Sequence, residues 1–386
     1  MNKRKIAIFT GSRAEYGLLY PIIKTLHIEN RFETYLIISG SHLSSDFGNT
    51  ISEIDTSIVK KFKKMDIKVP TTNEKAFMLL IFSEIINKGI DILSEFAPNL
   101  IVLSGDRYET FAMCVTAFYM NIPIAHIFGG DISQGGHLDD SVRHSITKLA
   151  HLHFTTNEDS FKRVIGLGEE TWRVFNVGSP VIDNVLFGNY ARSDEISKEL
   201  ALDLSKPIII FTQHPVTTEA ELAYGQVRES LEALKELGYQ TVITYPCNDT
   251  GSRDIIKAIN EYCNISCFRI RKSLGWKLYL GCLQVASCVV GNSSSGLMET
   301  PIFKIPFINI GTRQNGRLRA ENVIDVPYKK NEIKKAINRA LKDSNFIEKV
   351  KSCSNPYGTR GASNKIVEIL KSIPINKGLL QKKMTF

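Results

Sequence analysis

Short runs of β-branched and aromatic residues alternate along this chain with amphipathic stretches at helical spacing. Several of the runs end in a polar, glycine-bearing loop. That alternation constrains the fold more than any other feature. Parallel strands need long crossovers, usually helical, and strands buried on both faces read as unbroken apolar runs. Strands are predicted at 5–9, 35–39, 100–104, 122–128, 152–156 and 173–177. Helices are predicted at 18–26, 75–96, 108–120, 140–150 and 158–167. Over 184–206 the segment is polar and the strand signal lapses. It resumes with strands at 207–212, 241–245, 288–291, 306–310 and 322–326, and helices at 219–237, 253–261, 278–286, 296–300 and 331–342. A terminal helix is predicted at 361–373. The expectation is an α/β protein of two Rossmann-like, doubly wound parallel-sheet domains. Residues 1–184 form the first domain and 185–365 the second, with 366–386 a helix end and basic tail.

Composition removes other classes. A chain of 386 residues predicts two or three domains. Its 43% hydrophobic and 23% charged residues are globular usage, not those of a disordered chain or coiled coil. The longest apolar stretches, 6–9, 76–82 and 207–211, fall short of the ~18 residues a membrane span needs. The basic N-terminal head precedes too few apolar residues for a signal peptide, which needs ~7–15. The net charge of +8 is mild, and Lys371, Lys377, Lys382 and Lys383 carry part of it. It fits either a solvated basic surface or a site for an anion. No basic block alternates with aromatic residues, which argues against nucleic acid. The seven cysteines are scattered without a Cys-x-x-Cys pair, as suits reduced thiols in a cytoplasmic protein. No metal-binding spacing is present, and no cofactor is expected.

In parallel α/β sheets ligands bind beyond the carboxyl ends of the strands, so the loops there carry the chemistry. The loop at 11–17 offers glycines, a helix start and Arg13, features suited to phosphate. His42 sits in the polar loop after the second predicted strand. Asp106 and Arg107 fall at a strand end, where an N-cap with a solvated arginine is the plainer alternative. His126-Ile-Phe-Gly-Gly-Asp131 runs on to Asp139 and Asp140, either of which could cap the helix that carries Arg143 and Thr147 on one face. His214 follows the strand at 207–212. Gly291-Asn-Ser-Ser-Ser-Gly296 opens a helix with serine and backbone donors suited to phosphate, and Glu299 lies about one turn further on. Arg313, Arg317 and Arg319 follow another strand. Carboxylates in the first half and anion-binding groups in the second suggest a nucleotide-sugar enzyme. Its nucleotide would be held by the second domain, its sugar would face the first, and the ligand would lie in the cleft between them.

Taken together, these loops resemble the hydrolysing UDP-N-acetylglucosamine 2-epimerases that supply N-acetylmannosamine for sialic acid synthesis. The matching pieces are GSRAEYG (11–17), GSHL…FGNT (40–50), GDRYE (105–109), HIFGGD (126–131), DDSVRHSITKLAH (139–151), QHPVTTE (213–219), GNSSSGLME (291–299) and GTRQNGR (311–317). They run in family order across most of the chain. The resemblance implies a GT-B-like fold and a UDP-sugar substrate, in a homodimer or homotetramer. It implies that Arg13 and His214 contact phosphates or sugar, that Ser293, Ser294 and Gly296 form the diphosphate loop, that Glu299 holds the ribose and that Arg313 lies near the nucleotide. Asp106 and Asp139 match acid–base positions, with His42, Arg107 and Arg143 as further substrate contacts and His214 as a further catalytic group.

One position departs from the pattern. Relatives with the motif HIEGGE carry glutamate where this chain has Phe128, and their last acid corresponds to Asp131, which becomes the substitute acid–base candidate. The loop leading to Asp139 is also longer, with an extra Gly-Gly-His, as for a different sugar. The nearest rival reading keeps the chemistry and changes the substrate to a nucleotide-linked N,N′-diacetylbacillosamine of the legionaminic acid route. A non-hydrolysing epimerase, a GT-B glycosyltransferase and a non-catalytic nucleotide-sugar sensor are more distant. DDSVRH and HPVTTE favour the hydrolysing branch.

Overall fold

The computed structural model describes residues 3–43, 50–67, 76–133, 138–188, 190–358 and 360–385. The chain divides into two units. One comprises Met1–Ile132, Asp139–Leu186 and Tyr357–Phe386, the other Ser133–Leu138 and Phe187–Pro356.

The first unit is built on a seven-stranded sheet. Its strands are β1 (Arg4–Thr10), β2 (Phe32–Ile38), β3 (Lys61–Lys64), β4 (Leu100–Ser104), β5 (Ile124–Ile127), β6 (Leu152–Thr155) and β7 (Val174–Asn176). Their order is β3-β2-β1-β4-β5-β6-β7 and every pairing is parallel. The order reverses at β1/β4, so the loops after those two strands flank the switch point. The central strands are buried along their length, and Ala7, Phe9, Ile37, Ile101, Leu103 and Ile124 form one core with Ile81, Ile85, Met113 and Ile146 of the covering helices.

The second unit has six parallel strands in the order β10-β9-β8-β11-β12-β13. They are β8 (Ile208–Thr212), β9 (Gln240–Thr244), β10 (Phe268–Arg271), β11 (Cys288–Gly291), β12 (Phe307–Ile310) and β13 (Val323–Val326). Here the switch point is β8/β11. Ile209, Phe211, Ile243, Val290 and Ile308 pack with Val227, Leu231, Ile255 and Ile337 of flanking helices.

Two strands escaped sequence reading, and both are edges. All four residues of β3, Lys-Phe-Lys-Lys, are exposed, and three of the four in β10, Phe-Arg-Ile-Arg, are half-exposed. Edge strands carry charge to discourage pairing with other chains, and that charge hides them from an apolar-run criterion. The polar lapse at 184–206 contains the helix Ser193–Leu200, whose Ile196 and Leu200 are buried. The predicted helix at 296–300 is instead two short turns, Ser295–Met298 and Thr300–Phe303.

The C-terminal segment also departs from the sequence reading, which kept residues through 365 in the second domain. Residues 357–386 cluster with the first unit. Asp183, fully buried, explains the return. Its two carboxylate oxygens accept from the backbone N–H of Gly361 at 2.6 Å and of Ser363 at 2.8 Å. A carboxylate thus caps the helix Ala362–Ser372, which then packs on the helix Arg13–Ile28.

Candidate functional site

In the first unit, the loop after β4 and the helix Asp139–Leu149 bring together most of the carboxylates. Arg143 is 1% exposed, and its guanidinium pairs with Asp106 and with Asp140 one turn before it. Its Nη1 also donates to the backbone oxygen of Asp131 at 2.7 Å. A guanidinium this deep needs charge partners, and two carboxylates plus a carbonyl supply them. Asp106 keeps 20% of its side chain exposed at the strand's carboxyl end, where a ligand can reach it. Asp139, half-buried, is the first residue of the helix. Asp140, placed in sequence reading only as an alternative cap, makes the ion pair to Arg143.

Asp131 is placed differently from its expected acid–base role. Its Oδ1 accepts from Thr156 Oγ1 at 2.8 Å and Ser160 Oγ at 2.6 Å, and the residue is buried. It ties the loop after β5 to the start of the helix Glu158–Gly166. Gly130 permits that approach. Its φ is +79°, and a Cβ there would lie 2.3 Å from the Ser160 carbonyl oxygen. Phe128, where a glutamate stood in the family pattern, is buried with φ +69°, a rare conformation for a bulky residue. Its N–H donates to Phe154 O at 3.0 Å. The lengthened loop at 134–137 lies outside the described residues.

His42 is likewise held internally. Nε2 meets Thr10 Oγ1 and Nδ1 meets Thr50 Oγ1, both at 2.9 Å, with the ring fully buried. Burial brings its pKa down to about 4, so the ring is neutral and pins the end of β1 to the segment after β2. Arg107 pairs through Nε and Nη2 with Glu109 at 3.1 and 3.2 Å. Arg13 opens the helix Arg13–Ile28, and its side chain lies outside the described atoms.

Two groups near these loops were not singled out from sequence. Glu15 accepts from Gly11 N–H at 2.7 Å and Thr110 Oγ1 at 2.6 Å. Burial first, then the charge of Glu109, raises its pKa to about 7. It sits inside the motif GSRAEYG as the third residue after its Ser12 cap, which is why a helix-cap reading absorbs it. His126 donates from Nε2 to Gly105 O at 2.7 Å, and burial lowers its pKa to about 3. The carbonyl only accepts, so the neutral ring carries its proton on Nε2.

The second unit gathers its groups around Asn292, after β11. Asn292 accepts from His214 N–H at 2.7 Å and donates to His214 O at 2.9 Å. Its carbonyl receives Gln314 Nε2 at 2.8 Å and Arg313 Nη1 at 3.3 Å. This fully buried asparagine therefore joins the loops after β8, β11 and β12. Cys247 N–H donates to His214 Nδ1 at 3.3 Å, which leaves Nε2–H as the donor of the neutral ring. Ser293 and Ser294 are half-buried at the loop's turn. Ser295 Oγ approaches Tyr279 OH at 2.6 Å and donates to Glu299. Burial raises Glu299 to about 7 against the pull of that serine. Gly296, expected to meet a ligand, also has a packing reason to be glycine: a Cβ would lie 2.3 Å from the Phe307 ring. Among the described residues, no group of three His, Cys, Asp or Glu side chains is placed to hold a metal ion. No helix among them is long and apolar enough to cross a membrane.

The two sheets, each with its chemistry at the strand ends next to a switch point, place the chain among the two-domain α/β proteins of the GT-B-like class. The crystal structure of UDP-GlcNAc 2-epimerase from Neisseria meningitidis bound to UDP-GlcNAc shares this fold with a TM-score of 0.79 at 20% identity, covering 96% of this chain and all of that one. The sequence pattern of UDP-N-acetylglucosamine 2-epimerase matches residues 24–371. The chain is 32% identical to the hydrolysing UDP-N,N′-diacetylbacillosamine 2-epimerase of Legionella pneumophila, over 98% of each chain. It is 35% identical to the polysialic acid biosynthesis protein P7 of Escherichia coli, over 95% of this chain and 94% of that one. The chain belongs to the UDP-N-acetylglucosamine 2-epimerase family.

Proposed function

We propose that this protein releases UDP from a UDP-linked 2-acetamido sugar and frees the sugar epimerised at C2. The observation that carries the reading is the Asp106–Arg143–Asp140 cluster, a partly open carboxylate fixed at the end of β4 by a buried guanidinium. Asp106 removes the C2 proton while UDP leaves C1, giving an unsaturated 2-acetamidoglucal. Water then adds at C1 and C2 is reprotonated on its other face, with Asp139 as donor. Since Asp131 Oδ1 already accepts two hydroxyl protons, its part is to hold the Gly129–Asp131 turn.

The nucleotide rests on the second unit's loops. His214 offers Nε2–H, Ser293 and Ser294 offer hydroxyls, Arg313 offers charge and Glu299 accepts from the ribose diol. Neutralising the departing diphosphate is the larger catalytic contribution, because preorganised donors need no rearrangement as charge develops.

The identity to the Legionella enzyme favours the diacetylbacillosamine nucleotide as the sugar substrate. The family's own description, UDP-N-acetylglucosamine 2-epimerase, favours UDP-N-acetylglucosamine as the second reading. A cytoplasmic location and a homo-oligomeric state accompany either.

The test is Asp106→Asn. UDP binding by calorimetry stays within about threefold, while turnover falls ~10²–10⁴-fold, the usual share of one acid–base group. Near-normal turnover would remove Asp106 from the chemistry.

A further inference from the structure

The helix that carries Asp139, Asp140 and Arg143 ends against the last residues of the chain. Lys382, far from a solvated tail lysine, sends its three N–H donors to Lys148 O at 2.7 Å, Ala150 O at 2.6 Å and Glu169 at 2.7 Å, with Thr147 O at 3.4 Å. Those carbonyls lie at the carboxyl end of the helix Asp139–Leu149, where the backbone has no helical partners and carries partial negative charge. Glu169, fully buried, also receives Lys148 Nζ at 2.7 Å and His153 Nε2 at 3.1 Å. Arg173, itself buried, holds the tail in place. It donates to the carbonyls of Leu379 at 2.6 Å, Gly378 at 2.9 Å, Gln381 at 3.2 Å and His151 at 3.3 Å, and to Glu170 at 2.7 Å.

We propose that Lys382 is a positioning residue: it fixes the helix Asp139–Leu149 from its carboxyl end and thereby sets the Asp106–Arg143–Asp140 geometry at the other. The grip at Thr147 is one turn from Arg143, and Thr147 Oγ1 in turn donates to Arg143 O at 3.0 Å. A helix transmits axial slip with little loss, since each residue advances only ~1.5 Å along a hydrogen-bonded rod. Misplacement of reacting groups by ~1 Å costs on the order of 10²-fold in rate. Simple surface pairing does not explain the arrangement, because exposed ion pairs need neither three carbonyls nor a buried arginine to hold the partner's strap.

This inference rests on the proposed reaction. The variants are Lys382→Met, which keeps the stem and loses the donors, and Lys371→Met, which breaks the pairs with Glu29 and Glu368 in the same segment. Lys382→Met is expected to lower kcat about 10–100-fold, with KM and UDP affinity within about threefold. Its amides in 143–149 should exchange about tenfold faster or more, and Lys371→Met should show neither change. If Lys382→Met does not fold, Lys382→Gln replaces it. A kcat within twofold of the parent, or an equal loss in Lys371→Met, overturns the positioning role. If the parent protein turns over neither sugar nucleotide, the proposed reaction fails instead. The exchange comparison still decides whether Lys382 fixes the helix, and unchanged exchange overturns it.

Discussion

Glu15 keeps its carboxyl in a place where charge is costly, behind Gly11 and beside Glu109. Its pKa rises to about 7 in the fold, against the ordinary 4.5 of an unfolded glutamate. Between those values the native state binds the extra proton, so its contribution to stability is complete below about 4.5 and is lost as pH climbs through 7. His42 and His126, depressed by burial to about 4 and 3, act in the opposite sense and weaken the fold as pH falls below about 6.5. A difference experiment separates them. In urea unfolding, the stability of the parent minus that of Glu15→Gln should fall from pH 4.5 to 7.5, as the Glu15 contribution is lost while the histidine contributions cancel. Parallel curves would contradict the buried proton. Glu299 yields a second prediction. If ribose hydroxyls donate to its carboxylate, UDP binding favours the ionised form and tightens from pH 6 to 8, toward tenfold per unit below the free pKa of about 7. Calorimetry on Glu299→Gln should give a flatter profile, and the same profile in both proteins would remove Glu299 from the ribose. Sequence made these carboxyls visible as residue types. It did not make their protonation visible, because burial is set by chain segments far away in sequence.

Elements were legible where apolar runs were continuous and obscure where charge overlay them. Leu100–Ser104 and Cys288–Gly291 were read to the residue because they are central and buried on both faces. β3 and β10 were missed because an edge strand presents lysine and arginine to solvent. The short turns after β11 show a different limit: the loop 293–296 was read for its hydrogen-bond donors, and the room that the bare Cα of Gly296 leaves for Phe307 was not visible. Gly296→Ala should therefore destabilise by roughly 1–3 kcal/mol through overpacking, measured as a Tm shift. An unchanged Tm would show that the ring gives way. At the C-terminal helix, Asp183→Ala uncovers two backbone N–H groups that now meet a carboxylate. A loss of about 2 kcal/mol follows from removing a charged cap, read by denaturant unfolding. A neutral result would mean water replaces the carboxylate at no cost.

At the scale of the molecule, the alternation of runs and amphipathic stretches is enough to give two parallel sheets. It does not give strand order, nor the return of residues 357–386 to the first unit, since both depend on long-range pairings such as Asp183 with Gly361. The candidate groups divide in the same way. Asp106 and Arg143 lie far apart in sequence, and only the fold joins them. His42 and Asp131 are both loop residues in the sequence, and the fold buries both against hydroxyl partners. The family is legible in the ordered set of loops, whereas the sugar is not, because residues 134–137 and Phe128 depart from the common motif. The most direct test is proton and phosphorus NMR of the purified protein in heavy water, without added metal. UDP-N,N′-diacetylbacillosamine and UDP-N-acetylglucosamine are supplied in separate tubes. Free UDP together with a C2-epimerised sugar carrying deuterium at C2 is the expected outcome in at least one tube. UDP released with the C2 hydrogen retained, or both substrates left intact, would contradict elimination and water addition as the reaction of this protein.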